Sequence, residues 1–222
     1  MPDLGAVFPG LALAALVVVL VWFAFGTQMN VRRGNRMMGW LQEGLPVLGP
    51  RATLRWMGSS VVALTILDPL PPFRSAEVLV ILEPRDLGAI WALARRRGRR
   101  DLLLVRASMA HAPRFAADFA DPRRWIPPGA SAQDDDPQLV LRPPDGSAPC
   151  SYEVRDDGSA PLEALRSSWE ALAASSGGAW RLSVRRTVPH LEIHVLPPSD
   201  LARSGSARLF TGIRQLAELA SQ

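Results

Sequence analysis

The feature that most constrains this chain is an apolar run near its N-terminus. The run from Val7 to Phe25 contains 19 consecutive uncharged residues. As a helix it would be about 28 Å long, close to the roughly 30 Å hydrocarbon core of a bilayer. Trp22 and Phe23 lie near its end, as aromatic residues do at membrane interfaces. The run therefore predicts a transmembrane anchor over residues 1–27.

A cleaved signal peptide is the alternative to an anchor. Ala24-Phe25-Gly26 resembles a cleavage site of the small-x-small type. A signal peptide begins with basic residues, however, whereas the first six residues here include Asp3 and no arginine. The apolar run is also longer than the usual signal core. We therefore predict an uncleaved, single-pass anchor.

The charges around the run predict its orientation. No arginine precedes it, and Arg32, Arg33 and Arg36 follow within eleven residues of its end. Positively charged flanks remain on the cytoplasmic side of a membrane. We therefore expect the N-terminus outside the cell membrane and the rest of the chain in the cytoplasm. The single cysteine, Cys150, fits a reducing compartment.

Residues 28–50 form a predicted juxtamembrane segment. Met37, Leu41 and Leu45 recur at four-residue spacing, which indicates an amphipathic helix over 28–45. Two arrangements fit this pattern. The helix could lie in the membrane interface with its arginines on anionic phosphates, or it could continue the transmembrane helix and pack on the following domain.

The rest of the chain alternates between short strands and amphipathic helices. This order predicts an α+β fold, with an antiparallel sheet and helices on one side of it. Residues 51–125 and 138–222 form two predicted halves, joined by a linker at 126–137 that contains paired prolines and three consecutive aspartates. The predicted strands are 52–56, 60–67, 76–82, 101–108, 114–119, 138–142, 151–155, 180–186 and 190–196, and the predicted helices are 84–97, 162–174 and 207–220.

The order strand–helix–strand–strand occurs twice along the chain. It covers residues 76–119 and again residues 151–196, with Pro113 and Pro189 at matching positions. This raises the hypothesis of a duplicated unit. The alternative is chance repetition of a common order, because the two copies share few identical residues.

A cluster of five arginines within Arg95–Arg100 ends the predicted helix 84–97, in which Leu87, Ile90, Trp91 and Leu93 are expected to be buried. Cations are favourable at a helix C-terminus, which gives the cluster a structural interpretation. The functional interpretation is an anionic partner, such as lipid headgroups or an acidic protein surface. Nucleic acid is disfavoured because no aromatic residues alternate with the arginines.

His190, Glu192 and His194 form the clearest chemical pattern. On a strand these alternate positions share one face. Two imidazoles and a carboxylate are suitable ligands for zinc or iron, so the three residues are candidate metal ligands. The alternative is that they form the solvent-facing side of a half-buried strand.

Composition excludes several classes of enzyme. All 25 basic residues are arginine, which excludes lysine nucleophiles, Schiff bases and lysine-dependent phosphate loops. One cysteine excludes an internal disulfide and a four-cysteine zinc site. The sequence also lacks the Gly-x-Ser-x-Gly pattern of hydrolases. We therefore assign no catalytic residue and no cofactor.

The remaining features favour a non-catalytic, membrane-tethered cytoplasmic interaction module, with an accessory subunit of a larger membrane complex as one form of that role. The predicted partners are membrane lipids and a protein in the membrane. The alternatives are an anionic-lipid sensor and a metal-dependent enzyme built on the His-x-Glu-x-His strand. The predicted lipid- or partner-contact residues are Arg32, Arg33, Arg36, Trp40, Arg95, Arg96, Arg97, Arg99 and Arg100.

Overall fold

The computed structural model describes residues 4–120, 140–142, 151–155, 161–176, 178–198, 200–201 and 205–221. These residues form an α+β fold with an antiparallel sheet, as predicted. The predicted linker at 126–137 and Cys150 lie outside the described residues.

The elements closely follow the predicted pattern. The helices are α1 (Leu4–Gln42), α2 (Gly88–Arg96), α3 (Leu162–Ser176) and α4 (Ser206–Ala220), with a 3-10 turn at Leu45–Val47. The strands are β1 (Ala52–Trp56), β2 (Val61–Ile66), β3 (Phe73–Ile81), β4 (Leu102–Met109), β5 (Ala116–Ala120), β6 (Val140–Arg142), β7 (Ser151–Arg155), β8 (Ala179–Val184) and β9 (Leu191–Val195). They form one sheet in the order β1-β2-β3-β4-β9-β8-β5-β7-β6.

One face of the sheet carries the hydrophobic core. Alternate residues of the central strands, such as Val105 of β4 and Ile193 of β9, lie opposite each other in the ladder and are buried on this face. The C-terminal half of α1, together with α3 and α4, contributes to the same core through residues such as Leu41, Trp169 and Phe210. Burial of each large apolar side chain contributes about 1.5–3 kcal/mol. The core therefore fixes these three helical segments on the sheet.

The helix α1 is continuous from the apolar run into the domain. Residues 8–25 are exposed along their whole length. From Gly26 onward one side of the helix is buried, at Gly26, Asn30, Gly34, Met37 and Leu41. This spacing of three or four residues places them on one helical face. Of the two arrangements considered for 28–45, the structure therefore has the continuation of the apolar helix.

The expected burial of α2 is wrong. None of its residues is buried: Ile90 and Leu93 are exposed by 54% and 51%, and Leu87, directly before the helix, is exposed by 47%. The reason is its position: α2 connects β3 to β4 and contacts α1, whereas α3 and α4 pack on the sheet and on each other. Its apolar side chains therefore have no sheet face to cover.

The two halves of the chain share one sheet. Strand β4 pairs with β9, and β5 lies between β8 and β7. In the first strand–helix–strand–strand unit the strands flanking the helix, β3 and β4, pair directly, but in the second unit β7 and β8 are separated by β5. This pairing gives the duplicated unit no support, so duplication stays a hypothesis.

Candidate functional site

The first contact between α1 and the domain depends on two glycines. A Cβ atom on Gly26 would lie 2.1 Å from the carbonyl oxygen of Arg85, and a Cβ atom on Gly88 would lie 2.7 Å from Nε1 of Trp22. Trp22 donates a hydrogen bond of 3.1 Å from Nε1 to the same Arg85 carbonyl. The absence of side chains at Gly26 and Gly88 thus lets α1 and the start of α2 approach closely.

The inner side of α2 is attached to the protein by Trp91 and Arg95. The ring of Trp91 packs on Trp22, with a distance of 6.4 Å between centroids. Its Nε1 donates to the carboxylate of Glu83, and Arg95 forms a 3.2 Å ion pair with that carboxylate. The guanidinium of Arg95 also lies 5.7 Å from the Trp91 ring centroid, which adds a cation–π contact.

A buried polar cluster lies between α1 and the sheet. Asp101 accepts hydrogen bonds from the backbone N–H of Glu83 at 2.9 Å and from Arg33 and Arg85 at 3.2 Å each. Burial alone would raise the pKa of Asp101, but these hydrogen bonds and the charge of Arg85 outweigh it, and the pKa is lowered. Asn30 of α1 donates to the Glu83 carbonyl at 3.1 Å and accepts from Arg85 at 3.1 Å. The cluster therefore fixes α1 to the domain.

The start of α2 borders an apolar groove beside the exposed part of α1. We call this space the α1–α2 groove; its volume is about 660 Å³. It lies between the end of the apolar run on α1 and the first turn of α2, and apolar side chains predominate in its lining. The lining residues are Val18, Val19, Leu20, Trp22 and Phe23 on one side and Asp86, Leu87, Gly88, Ala89 and Ile90 on the other.

The arginines predicted to contact a partner divide into two groups. Arg33 and Arg95 form the ion pairs described above, and Arg100 donates to the carbonyls of Arg95 and Arg99 at 2.9 and 2.7 Å, at the C-terminal end of α2. These contacts support the structural interpretation for part of the cluster. In the second group, the side chains of Arg32, Arg36, Arg96 and Arg97 are exposed and that of Arg99 is half-buried.

Trp40, predicted as a contact residue, lies in the core of the domain. It is buried with the residues of α4, and its carbonyl accepts a 2.7 Å hydrogen bond from Ser206. The reason is the continuous path of α1, which carries Trp40 under the C-terminal helix and away from the surface.

Glu192 and His194 lie on the sheet face opposite the helices, and both are buried, with exposures of 2% and 0%. His194 Nε2 is 2.8 Å from one Glu192 oxygen, and Arg106 Nε is 2.9 Å from the other. Burial alone would raise the pKa of Glu192, but His194 and Arg106 outweigh it and lower the pKa to about 2. Burial lowers the pKa of His194, although Glu192 opposes this. The solvent-facing alternative for this strand is therefore wrong.

The structure does not gather His190, Glu192 and His194 into a ligand set. Nδ1 of His190 accepts the backbone N–H of Met109 at 2.9 Å, which occupies its lone pair. Burial lowers the pKa of His190 as well. Among the described residues, no group of three or more His, Cys, Asp or Glu side chains is placed to hold a metal ion.

The same face contains a buried ion pair that no pattern in the sequence predicts. Arg181 of β8 bonds both carboxylate oxygens of Asp118 on β5, at 3.1 and 2.6 Å. Trp180 packs edge-on against His194, with ring centroids 4.9 Å apart. The only local signal was the alternation of polar Arg181 and Ser183 with apolar neighbours in β8. The pair lies 63 residues apart in sequence, so no spacing rule could connect it.

The described residues thus place an exposed apolar helix, a half-exposed apolar helix and exposed arginines at one end of the domain. This arrangement suits contact with an apolar or anionic surface. Comparison with known proteins finds no matching family model and no curated protein that matches the sequence.

Proposed function

We propose that this chain is a single-pass membrane protein whose α+β domain lies at the cytoplasmic surface and serves there as a non-catalytic interaction module. One observation carries the proposal. The helix α1 contains an 18-residue window with a mean hydropathy of 2.5, none of it buried, and then continues directly into the domain core. A bilayer would cover the apolar surface that the domain leaves exposed.

The orientation follows from charge. Residues 1–109 carry a net charge of +6 and residues 110–222 a net charge of −2, and the first arginines follow within eleven residues of the end of the apolar run. Under the positive-inside rule this corresponds to an N-terminus outside and a domain in the cytoplasm.

The rigid attachment supports an interaction role. Asn30 and Arg33 of α1 bond to the same cluster that contains Glu83, Arg85 and Asp101, so the orientation of the domain relative to the membrane is fixed. Confinement to a membrane raises the effective concentration of this chain relative to another protein in the same membrane. A modest interface is therefore sufficient for binding. An accessory subunit of a membrane complex is a role of this kind.

An anionic-lipid sensor is the second candidate. The exposed side chains of Arg32, Arg36, Arg96 and Arg97 favour it, because each basic residue near an anionic leaflet contributes about 1 kcal/mol of binding. The ion pairs of Arg33 and Arg95 within the protein reduce the number of arginines available for this role. Binding that depends on anionic lipid and weakens steeply with salt would distinguish a sensor from a protein-binding module.

Topology is tested with single-cysteine variants of the full chain in a Cys150→Ser background. Asp3→Cys reports the N-terminus and Ala207→Cys, exposed on α4, reports the domain. We expect the protein to resist carbonate extraction, with a membrane-impermeant maleimide labelling Asp3→Cys in intact cells and Ala207→Cys only after permeabilisation. Extraction by carbonate would refute the membrane span, and the reverse labelling pattern would refute the orientation.

The interaction role is tested by purification of the full chain in two mild detergents. We expect one membrane protein to accompany it at constant stoichiometry through size-exclusion chromatography in both. A monomer alone in both detergents, with binding to anionic vesicles, would instead establish the lipid sensor.

A further inference from the structure

We propose that α2 is a second membrane contact: a short interfacial helix that inserts Leu87, Ile90 and Leu93 into the cytoplasmic leaflet, with a phospholipid acyl chain in the α1–α2 groove. This inference rests on the proposed membrane span of α1. It adds a specific lipid-binding surface, on an element that the sequence alone assigns to the core.

The first argument is the position of α2 along α1, which sets the depth of α2 in a bilayer. Gly88 abuts Trp22, and the groove is lined by α1 residues from Val18 to Phe23. All of them belong to the apolar run that ends at Phe25. A bilayer that surrounds α1 as far as Phe25 therefore also reaches the first turn of α2, and the groove between the helices opens into lipid.

The direction of the apolar face is the second argument. Ile90 and Leu93 are three residues apart, so they share one side of α2, and Leu87 directly precedes its first turn. Trp91 and Arg95 attach the other side to Glu83. Ile90 and Leu93 consequently point away from Glu83 and the sheet, and each is about half exposed, as is Leu87. Amphipathic helices that lie in the interface plane present their apolar side chains in this way.

Charge is the third argument, and it identifies an anionic leaflet as the surface that α2 contacts. Arg96 and Arg97 are exposed at the end of α2, directly after the apolar positions. Arginine side chains can extend along apolar surface and place the guanidinium among lipid phosphates. Apolar insertion beside a basic helix end fits an anionic phospholipid leaflet, whereas a purely apolar protein partner would leave these arginines without complementary charge.

The test uses the full chain with one cysteine in the Cys150→Ser background, labelled with the environment-sensitive fluorophore NBD. Ile90→Cys lies on the proposed membrane side of α2, and Ala92→Cys, exposed on the other side, is the matched control. Val19→Cys in α1 reports the membrane span itself. Each protein is reconstituted into vesicles of phosphatidylcholine and phosphatidylglycerol that contain phospholipid spin-labelled near the headgroup end of the acyl chain.

We expect quenching of the label at Ile90→Cys at least twofold stronger than at Ala92→Cys, together with quenching at Val19→Cys. Quenching at Val19→Cys without any at Ile90→Cys would overturn the role of α2 and leave the membrane span intact. No quenching at Val19→Cys would overturn the span on which the inference rests. Blue-shifted emission at Ile90→Cys without quenching by lipid would show that a protein covers α2, which also overturns the proposal.

The arginine contribution is tested separately with Arg96→Gln/Arg97→Gln in the Ile90→Cys protein. Both side chains are exposed, so the fold should tolerate the change. We expect quenching at position 90 to fall by about half, both in this variant and when phosphatidylglycerol is omitted. Unchanged quenching in both cases would exclude the arginines from the lipid contact.

Discussion

The helices α2 and α4 have the same kind of sequence and opposite environments. Both place apolar side chains on one side and arginines on the other. In α4 the apolar residues are buried, including Leu209, Phe210 and Ile213, whereas in α2 no residue is buried. Periodicity therefore identifies an apolar face but not the surface which that face contacts.

The difference arises from the connections of each helix. The α4 helix follows the last strand and packs on α3 over the sheet. The α2 helix is confined between two strands that pair directly, β3 and β4, and its nearest helical neighbour is α1 at the end of the apolar run. A helix in that position has no sheet face to cover.

The largest test of this comparison is the same substitution in both helices. Ile213→Ala in α4 removes a fully buried side chain and should lower the free energy of unfolding by about 3 kcal/mol. Ile90→Ala in α2 should lower it by less than about 0.5 kcal/mol in detergent, because the side chain is 54% exposed. Urea unfolding of the full chain measures both. Equal losses would mean that α2 packs against the protein after all.

A second test concerns the close approach of α1 to the start of α2. Gly26→Ala places a methyl group 2.1 Å from a backbone carbonyl that cannot rotate away, so it should destabilise the protein by about 2 kcal/mol. Gly39→Ala, in the same helix but with nothing within 4 Å of the new atom, should stabilise it by about 0.5–1 kcal/mol. The same unfolding assay compares the two. Opposite signs would confirm that α1 packs on the domain at Gly26, and equal effects would contradict it.

The elements themselves could be predicted because their signals are local. Strands β1 and β7 match the predicted ranges 52–56 and 151–155, and α4 begins within one residue of its prediction. Alternation with period two, helical spacing and the prolines and glycines between elements all lie within short windows.

The site could be predicted only in part because burial and pairing are not local. The exposure of Ile90 depends on where α1 lies, and the burial of Glu192 depends on the order of strands. The Asp118–Arg181 pair depends on β5 lying beside β8 in the sheet, although β6, β7 and α3 lie between these two strands in sequence. Helical spacing predicted a helix over 28–45, but it fitted both a continuation of the apolar helix and the interfacial alternative, and only the structure distinguishes them.

Acid should weaken the sheet on which α4 packs. Burial lowers the pKa values of His190 and His194, so the folded state keeps both neutral while the unfolded chain takes up protons near pH 6.5. The two histidines therefore leave the free energy of unfolding unchanged above about pH 6.5. As the pH falls below that value they lower it, by no more than about 1.4 kcal/mol per pH unit for each proton. Glu192, with a pKa of about 2, adds a further loss below its ordinary value of 4.5.

Urea midpoints at pH 7.5, 6.5 and 5.5 measure this dependence. His194→Gln removes one of the two histidines that take up a proton on unfolding. The urea midpoint of this variant should therefore decline less between pH 6.5 and 5.5. Fluorescence quenching of the label at Ile90→Cys should not change over this range, since α2 contains no histidine. A parallel change in quenching would show that α2 depends on the sheet more closely than its contacts indicate.

The smallest test compares two glutamates that bond to helical arginines. Glu83 is buried and bonds Trp91 and Arg95 of α2, whereas Glu218 of α4 is exposed and bonds Arg214 at 3.0 Å. Glu83→Gln should loosen α2 by about 1 kcal/mol, seen as faster amide exchange in α2 with α4 unchanged. Glu218→Gln should change α4 by no more than about 0.5 kcal/mol. Because α2 buries no residue against the protein, polar contacts are what attach it to the domain, and loss of exchange protection in α2 alone would demonstrate this. Unchanged exchange in Glu83→Gln would instead show that the packing of Trp91 on Trp22 is sufficient to hold the helix.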